Sequence, residues 1–210
     1  MKFNWLMMPS YWETEVRHRY ITHDTGSSKL VVLFPGKNYP CNLPLLYYAR
    51  SIASEQGYDT LSLEYGYQAA KMELKYENLP VIIEECTEAV RQIIGGYDEV
   101  VFISKSMGTI VAGEVHRKLQ LQVNHIFLTP VIETVPYINS TDRIVIYGSE
   151  DSLFGDAALQ QIAPEHNHGI IEIPGADHGL EVGNVTENLS RLQFIVDLYV
   201  QFLTSGAVKK

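Results

Sequence analysis

Positive charge is scarce in this chain. Lysine and arginine number 16 against 25 aspartates and glutamates, giving a formal net charge of -9 over 210 residues. No run of basic residues offsets that balance, so phosphate backbones and anionic membrane surfaces are poor partners. Cysteine is scarcer still. Cys41 and Cys86 are the only two, and neither CxxC nor Cys/His ligand spacing surrounds them, which argues against a zinc module or a dithiol redox motif. Both are expected to be ordinary free thiols. Long apolar runs are missing as well: nothing approaches the roughly 18 residues that a membrane-spanning helix needs. The opening MKFNWLMMPSYWETEV turns polar too soon for a secretory signal and carries no small-residue cleavage site. These absences together lead us to expect a soluble, cytoplasmic protein. Repeats, low-complexity tracts and linkers are also lacking. At 46% hydrophobic content the chain can bury one sizeable core, and a single domain over 1–210 is expected.

What is present is an alternation of two kinds of segment. Residues 30–34, 100–103, 125–128, 143–147 and 169–173 are short apolar runs rich in β-branched or aromatic side chains, and 60–63 is a weaker sixth. Near-continuous hydrophobicity is the mark of strands buried on both faces, as in parallel sheets. Between them, residues 44–55, 78–94, 107–119 and 186–203 carry apolar positions at helical spacing, with prolines near two starts and Gly95-Gly96 after one end. Strand alternating with helix predicts an α/β fold: a mostly parallel sheet with helices on both faces and right-handed crossovers. Residues 15–23 alternate loosely before a turn cluster at 24–28, and are expected to add an antiparallel edge strand.

Each predicted strand runs into a turn signal, and in open parallel sheets ligands bind at the carboxyl ends of strands. The most informative end is Ser104-Lys105-Ser106-Met107-Gly108, where a buried strand passes through small residues straight into a helix. Further on, one strand leads into Gly148-Ser149-Glu150-Asp151, and another into Pro174-Gly175-Ala176-Asp177-His178. A serine that only caps the helix starting at Met107 is the simpler account of the first. The three together are harder to explain that way.

The strand-turn-helix around Ser106 resembles the nucleophile elbow of α/β-hydrolases, G-x-S-x-G, with Ser104 in place of the first glycine. Serine, acid and histidine also follow in that superfamily's chain order. The resemblance spans residues 30–203 and is closest in character to small bacterial carboxylesterases and dienelactone-hydrolase-like enzymes. It implies Ser106 as nucleophile, His178 as base and Asp151 as the orienting acid, with no cofactor and no metal. Glu150 and Asp177 are the competing acids. The resemblance also implies an oxyanion hole from the backbone N–H groups of Met107 and Lys37, with Gly36, Asn38 and Tyr65 beside the substrate. Tyr39 and Tyr67 follow strand ends too. The implied reaction is hydrolysis of a small-molecule ester, thioester or small amide; a noncatalytic binding domain on the same fold is the alternative. His166 and His168 stand two apart without a third ligand at a recognisable spacing. Only 130–141 and 65–77 are available to cover the pocket, so the lid should be minimal or absent.

Overall fold

The computed structural model describes residues 1–205. Eight strands form one sheet: β1 (Lys2–Pro9), β2 (Glu15–Thr22), β3 (Lys29–Phe34), β4 (Asp59–Ser62), β5 (Glu99–Lys105), β6 (Asn124–Leu128), β7 (Arg143–Gly148) and β8 (Ile170–Ile173), in the spatial order β1-β2-β4-β3-β5-β6-β7-β8. From β4 onward in that order every pairing is parallel; β1 and β2 are antiparallel additions at one side. The helices are α1 (Pro44–Glu55), α2 (Gly66–Ala69), α3 (Leu79–Ile94), α4 (Met107–Leu119), α5 (Val135–Ile138), α6 (Asp156–Leu159) and α7 (Val185–Ser205).

The central strands have no polar face because helices cover both sides. Val31, Leu33, Val101 and Ile103 pack with Leu45, Leu46 and Ala49 of α1 and Ile195, Tyr199 and Phe202 of α7. Their neighbours Leu30, Val32, Val100 and Phe102 point the opposite way, into a second core with Ile82, Cys86 and Val90 of α3 and Val111 and Val115 of α4. Successive strand side chains alternate faces, so apolar runs such as 30–34 supply both cores at once. Both cysteines are free and buried, and burial pushes the Cys41 thiol up to about 12.

One expectation needs correction at the amino-terminal side. Residues 15–22 form the expected antiparallel strand, but β1 lies outside it and takes the edge. Lys2–Pro9 alternates only over its first four residues and then turns apolar on both faces: Phe3, Trp5 and Met7 face solvent while Leu6 and Met8 pack against the core. Among the described residues, no helix is long and apolar enough to cross a membrane.

Candidate active site

The sheet order determines which loops meet. β5 lies between β3 and β6, so the turn after β5 stands beside the turn after β3, while β7 and β8 follow on the other side. Ser106 occupies the turn between β5 and α4 with φ 52° and ψ -125°. A non-glycine residue held at positive φ costs on the order of 1–3 kcal/mol and persists only where surroundings enforce it. Here the Ser106 N–H donates to Leu128 O at 3.0 Å. Gly108, two residues on, completes the enforcement: a Cβ there would lie 2.4 Å from Pro35 O and 2.7 Å from Phe34 O. The first turn of α4 thereby sits directly on the end of β3.

Ser106 does not use its hydroxyl to cap α4, where no side-chain capping bond forms. Its Oγ lies 2.8 Å from His178 Nε2 instead. His178 Nδ1 is 2.9 Å from each carboxylate oxygen of Asp151, and Asp151 Oδ1 also accepts the Leu153 N–H at 2.9 Å. The Asp151 side chain is wholly buried, whereas His178 is about a third exposed. Its loop is held against the histidine's by backbone bonds, Ser149 N–H to Ile173 O at 3.1 Å and Glu150 N–H to Ala176 O at 2.9 Å. Gly148 permits that contact, since a Cβ there would meet Ala176 O at 2.1 Å. Neither competing acid reaches the ring. Glu150 is exposed, and Asp177 Oδ1 accepts the N–H groups of Gly179 and Glu181 at 2.7 and 3.1 Å.

The turn after β3 comes within reach of Ser106: a Cβ on Gly36 would stand 3.5 Å from the serine Cβ. Gly36, Lys37, Asn38 and Met107 line a cleft of about 940 Å³ together with Ser106 and His178. The Lys37 N–H has no hydrogen-bond partner among the described residues. Met107 is the first residue of α4, so its N–H is one of the donors a helix leaves unpaired, at the positive end of its dipole.

Tyr65 is elsewhere. It is fully buried, and its hydroxyl donates to Pro35 O at 2.8 Å, so it braces the turn from below and does not border the cleft. Tyr39 does line the cleft, while Tyr67 donates to Lys37 O at 2.6 Å. The covering segments also differ from expectation. Residues 130–141 supply only a 3-10 turn and α5, of which Val131, Ile132 and Glu133 border the cleft, and Tyr76 comes from 65–77. A third segment, after Asp151, contributes Ser152, Leu153 and Gly155 to Ala158. Its short polar and small residues carry no helical stripe that would mark a cover. His166 and His168 lie on the 3-10 turn Pro164–Gly169, where His168 Nδ1 contacts Glu165 O.

One residue that sequence reasoning passed over is Lys105. It is buried between the elbow serines, and its ammonium donates to His178 O at 2.7 Å and to Thr129 Oγ1. Burial lowers its pKa to about 8, against the opposing pull of Asp151 and Asp177. The lysine thus ties the histidine loop to the β5 end. A lysine ending an apolar strand was the available signal.

No known protein-family model matches the chain, and no curated protein sequence does. Solved structures do. An α/β serine hydrolase homologue from Coxiella burnetii superposes with a TM-score of 0.70 at 12% identity, over 96% of this chain and 97% of that one. A lidless α/β serine hydrolase from Xanthomonas campestris gives 0.65 at 13% identity, covering 95% of each chain. Est1E of Butyrivibrio proteoclasticus, solved with ferulic acid bound, gives 0.70 at 12% identity over 95% of this chain and 98% of its own. At such identities the likeness is one of architecture, and by it the chain has the α/β-hydrolase fold.

Proposed function

We propose that this protein is a serine hydrolase that cleaves a small ester through an acyl-serine intermediate. The observation that carries the reading is the unbroken hydrogen-bonded path from Ser106 Oγ through both nitrogens of His178 to the buried Asp151 carboxylate. An unassisted serine hydroxyl is a weak nucleophile, and a neutral imidazole within hydrogen-bond reach removes that handicap.

In the first half-reaction His178 Nε2 takes the Ser106 proton as Oγ bonds to the substrate carbonyl carbon. The carbonyl oxygen becomes an oxyanion facing the N–H groups of Lys37 and Met107. The tetrahedral species collapses as His178 returns the proton to the leaving alkoxide, releasing the alcohol and leaving acyl-Ser106. Water then repeats the sequence: His178 takes its proton, hydroxide adds to the acyl carbon, and collapse restores Ser106 and frees the acid. Asp151 keeps Nδ1 protonated throughout and stabilises the imidazolium.

The cleft supports an uncharged acyl group. Ile110, Val131 and Ile132 line it along with Leu153 and Ala157, and apolar walls suit short aliphatic or aromatic acids, the latter being the class bound in Est1E. The test is release of p-nitrophenol from its acetate and butyrate esters by the wild type and by Ser106→Ala. We expect turnover by the first and its loss in the second, with the far-UV circular dichroism unchanged. Equal turnover by the folded variant contradicts the reading.

A further inference from the structure

Lys37 and Asn38 border two cavities. One is the cleft holding Ser106; the other, of about 580 Å³, is also lined by Arg17 and Arg19 of β2, Arg50 of α1 and Lys71 beyond α2. Among the described residues Glu64 is the only carboxylate in that lining, an excess of four positive charges in a chain whose net charge is -9. The cations converge from four separate segments, so no local sequence run accounts for them.

Four of these five cations lack an ion-pair partner among the described residues. Arg17 reaches Glu15 at 3.4 Å, but Arg19, Arg50, Lys37 and Lys71 form no ion pair among the described residues. Arg50 is the telling case. It is only 8% exposed, makes no hydrogen bond among the described residues, and rests on the Tyr47 ring at 5.0 Å. A guanidinium on a residue this far inside the fold is ordinarily paired with a carboxylate; here its N–H donors have no protein acceptor among the described residues and are left open to the cavity. Burial and the nearby charge of Arg19 both pull the Arg50 pKa below its ordinary value, so the two cations repel. Arg19 meanwhile lies over the rings of Phe3 and Trp5, at 5.3 and 5.7 Å. Ser62, 6% exposed, lines the same cavity, and its buried Oγ has no hydrogen-bond partner among the described residues.

We infer that this second cavity binds a small organic phosphate, with Arg19 and Arg50 clamping the phosphate dianion. Planar guanidinium groups match tetrahedral oxyanions with two parallel bonds each, and a dianion placed between two like charges relieves their repulsion. The volume exceeds what a bare phosphate fills and leaves room for the attached organic group. The inference does not depend on the chemistry of Ser106.

Isothermal titration calorimetry of the full chain at constant ionic strength tests it, using ribose 5-phosphate, inorganic phosphate and citrate as probes. We expect saturable binding of ribose 5-phosphate, tighter than that of phosphate and much tighter than that of citrate. Arg19→Gln and Arg50→Gln should each weaken it by about tenfold or more, while Ser106→Ala leaves it unchanged. If Arg50→Gln does not fold, the exposed Lys71→Gln takes its place beside Arg19→Gln, with a smaller loss expected. Absence of saturable binding, citrate binding as tightly as the phosphates, or affinity indifferent to Arg19→Gln would overturn the proposal.

Discussion

Replacing Asp151 by asparagine changes one oxygen to an NH₂ group in a wholly buried side chain, yet the path from Ser106 to His178 should fail. In the native arrangement both carboxylate oxygens lie 2.9 Å from Nδ1, and an acceptor-only group there requires the proton on Nδ1. That leaves Nε2 free to accept from Ser106 Oγ, 2.8 Å away. Asparagine can keep Oδ1 on the Leu153 N–H, which Asp151 Oδ1 accepts at 2.9 Å, and then its NH₂ faces Nδ1 as a donor. The ring takes the other tautomer, Nε2 donates to Ser106, and no base remains. The same exchange in a serine protease triad lowers kcat by about 10⁴, or roughly 5.5 kcal/mol of barrier. Asp177→Asn is the control. Its Oδ1 serves the Gly179 and Glu181 N–H groups, a task the amide oxygen performs equally well, so its effect on kcat should be within about tenfold. The assay is kcat and KM for p-nitrophenyl butyrate, with thermal melts to show that each variant folds. A crippled Asp177→Asn beside a nearly active Asp151→Asn would refute the reasoning.

Three further outcomes are expected. Gly108→Ala places a Cβ 2.4 Å from Pro35 O; backbone cannot yield cheaply, so urea unfolding should show a loss on the order of 1–3 kcal/mol or more, with kcat reduced besides because the Met107 N–H is displaced. His18 is buried, accepts the Glu64 N–H, and has its pKa lowered to about 4 by desolvation. Between 6.5 and about 4 the unfolded chain therefore binds a proton that the folded chain does not. The stability His18 confers is complete above 6.5 and is lost as pH falls toward 4, so from pH 7.5 to 4.5 the wild type should lose about 2–3 kcal/mol more than His18→Gln; equal losses in urea titrations would contradict this. Across p-nitrophenyl acetate, butyrate, octanoate and palmitate, kcat/KM should stop rising by octanoate and show no surge above substrate solubility. Each buried methylene adds roughly 0.8 kcal/mol only while the cleft still covers it, and the described segments after β6 and β7 that border the cleft are short turns, not a long apolar helix that could open at an interface.

Much of this arrangement was legible because the physics is local. A strand buried on both faces must be apolar throughout, so β3, β5, β6 and β7 stood out, and the bounds of α1 and α4 follow from Pro44 and from the elbow. The elbow itself needs small residues over a short stretch, and Ser104 and Gly108 supply them. What escaped is what tertiary contact decides. β1 hides because Phe3 and Trp5 on its outer face are as apolar as Leu6 and Met8 on the inner one. Tyr65 follows a strand end as pocket residues do, but its hydroxyl found Pro35 O beneath the turn. The cover from residues 152–158 and the burial of Lys105 depend on how neighbouring loops pack. The cationic cavity was least legible of all, because Arg19, Arg50 and Lys71 each read alone as a solvated surface charge and meet only through the order of β2, α1 and α2 in the fold.

The central claim is that Ser106 is the nucleophile, and covalent trapping measures it most directly. The protein is incubated with a fluorophosphonate, its intact mass is recorded, and the modified peptide is sequenced by tandem mass spectrometry. The account predicts a single adduct on Ser106, formed by loss of fluoride, absent from Ser106→Ala and strongly slowed in Asp151→Asn. A folded wild type that takes up no label, or labels at another serine, would contradict the claim; the former result would leave a noncatalytic binding domain as the better description of this fold.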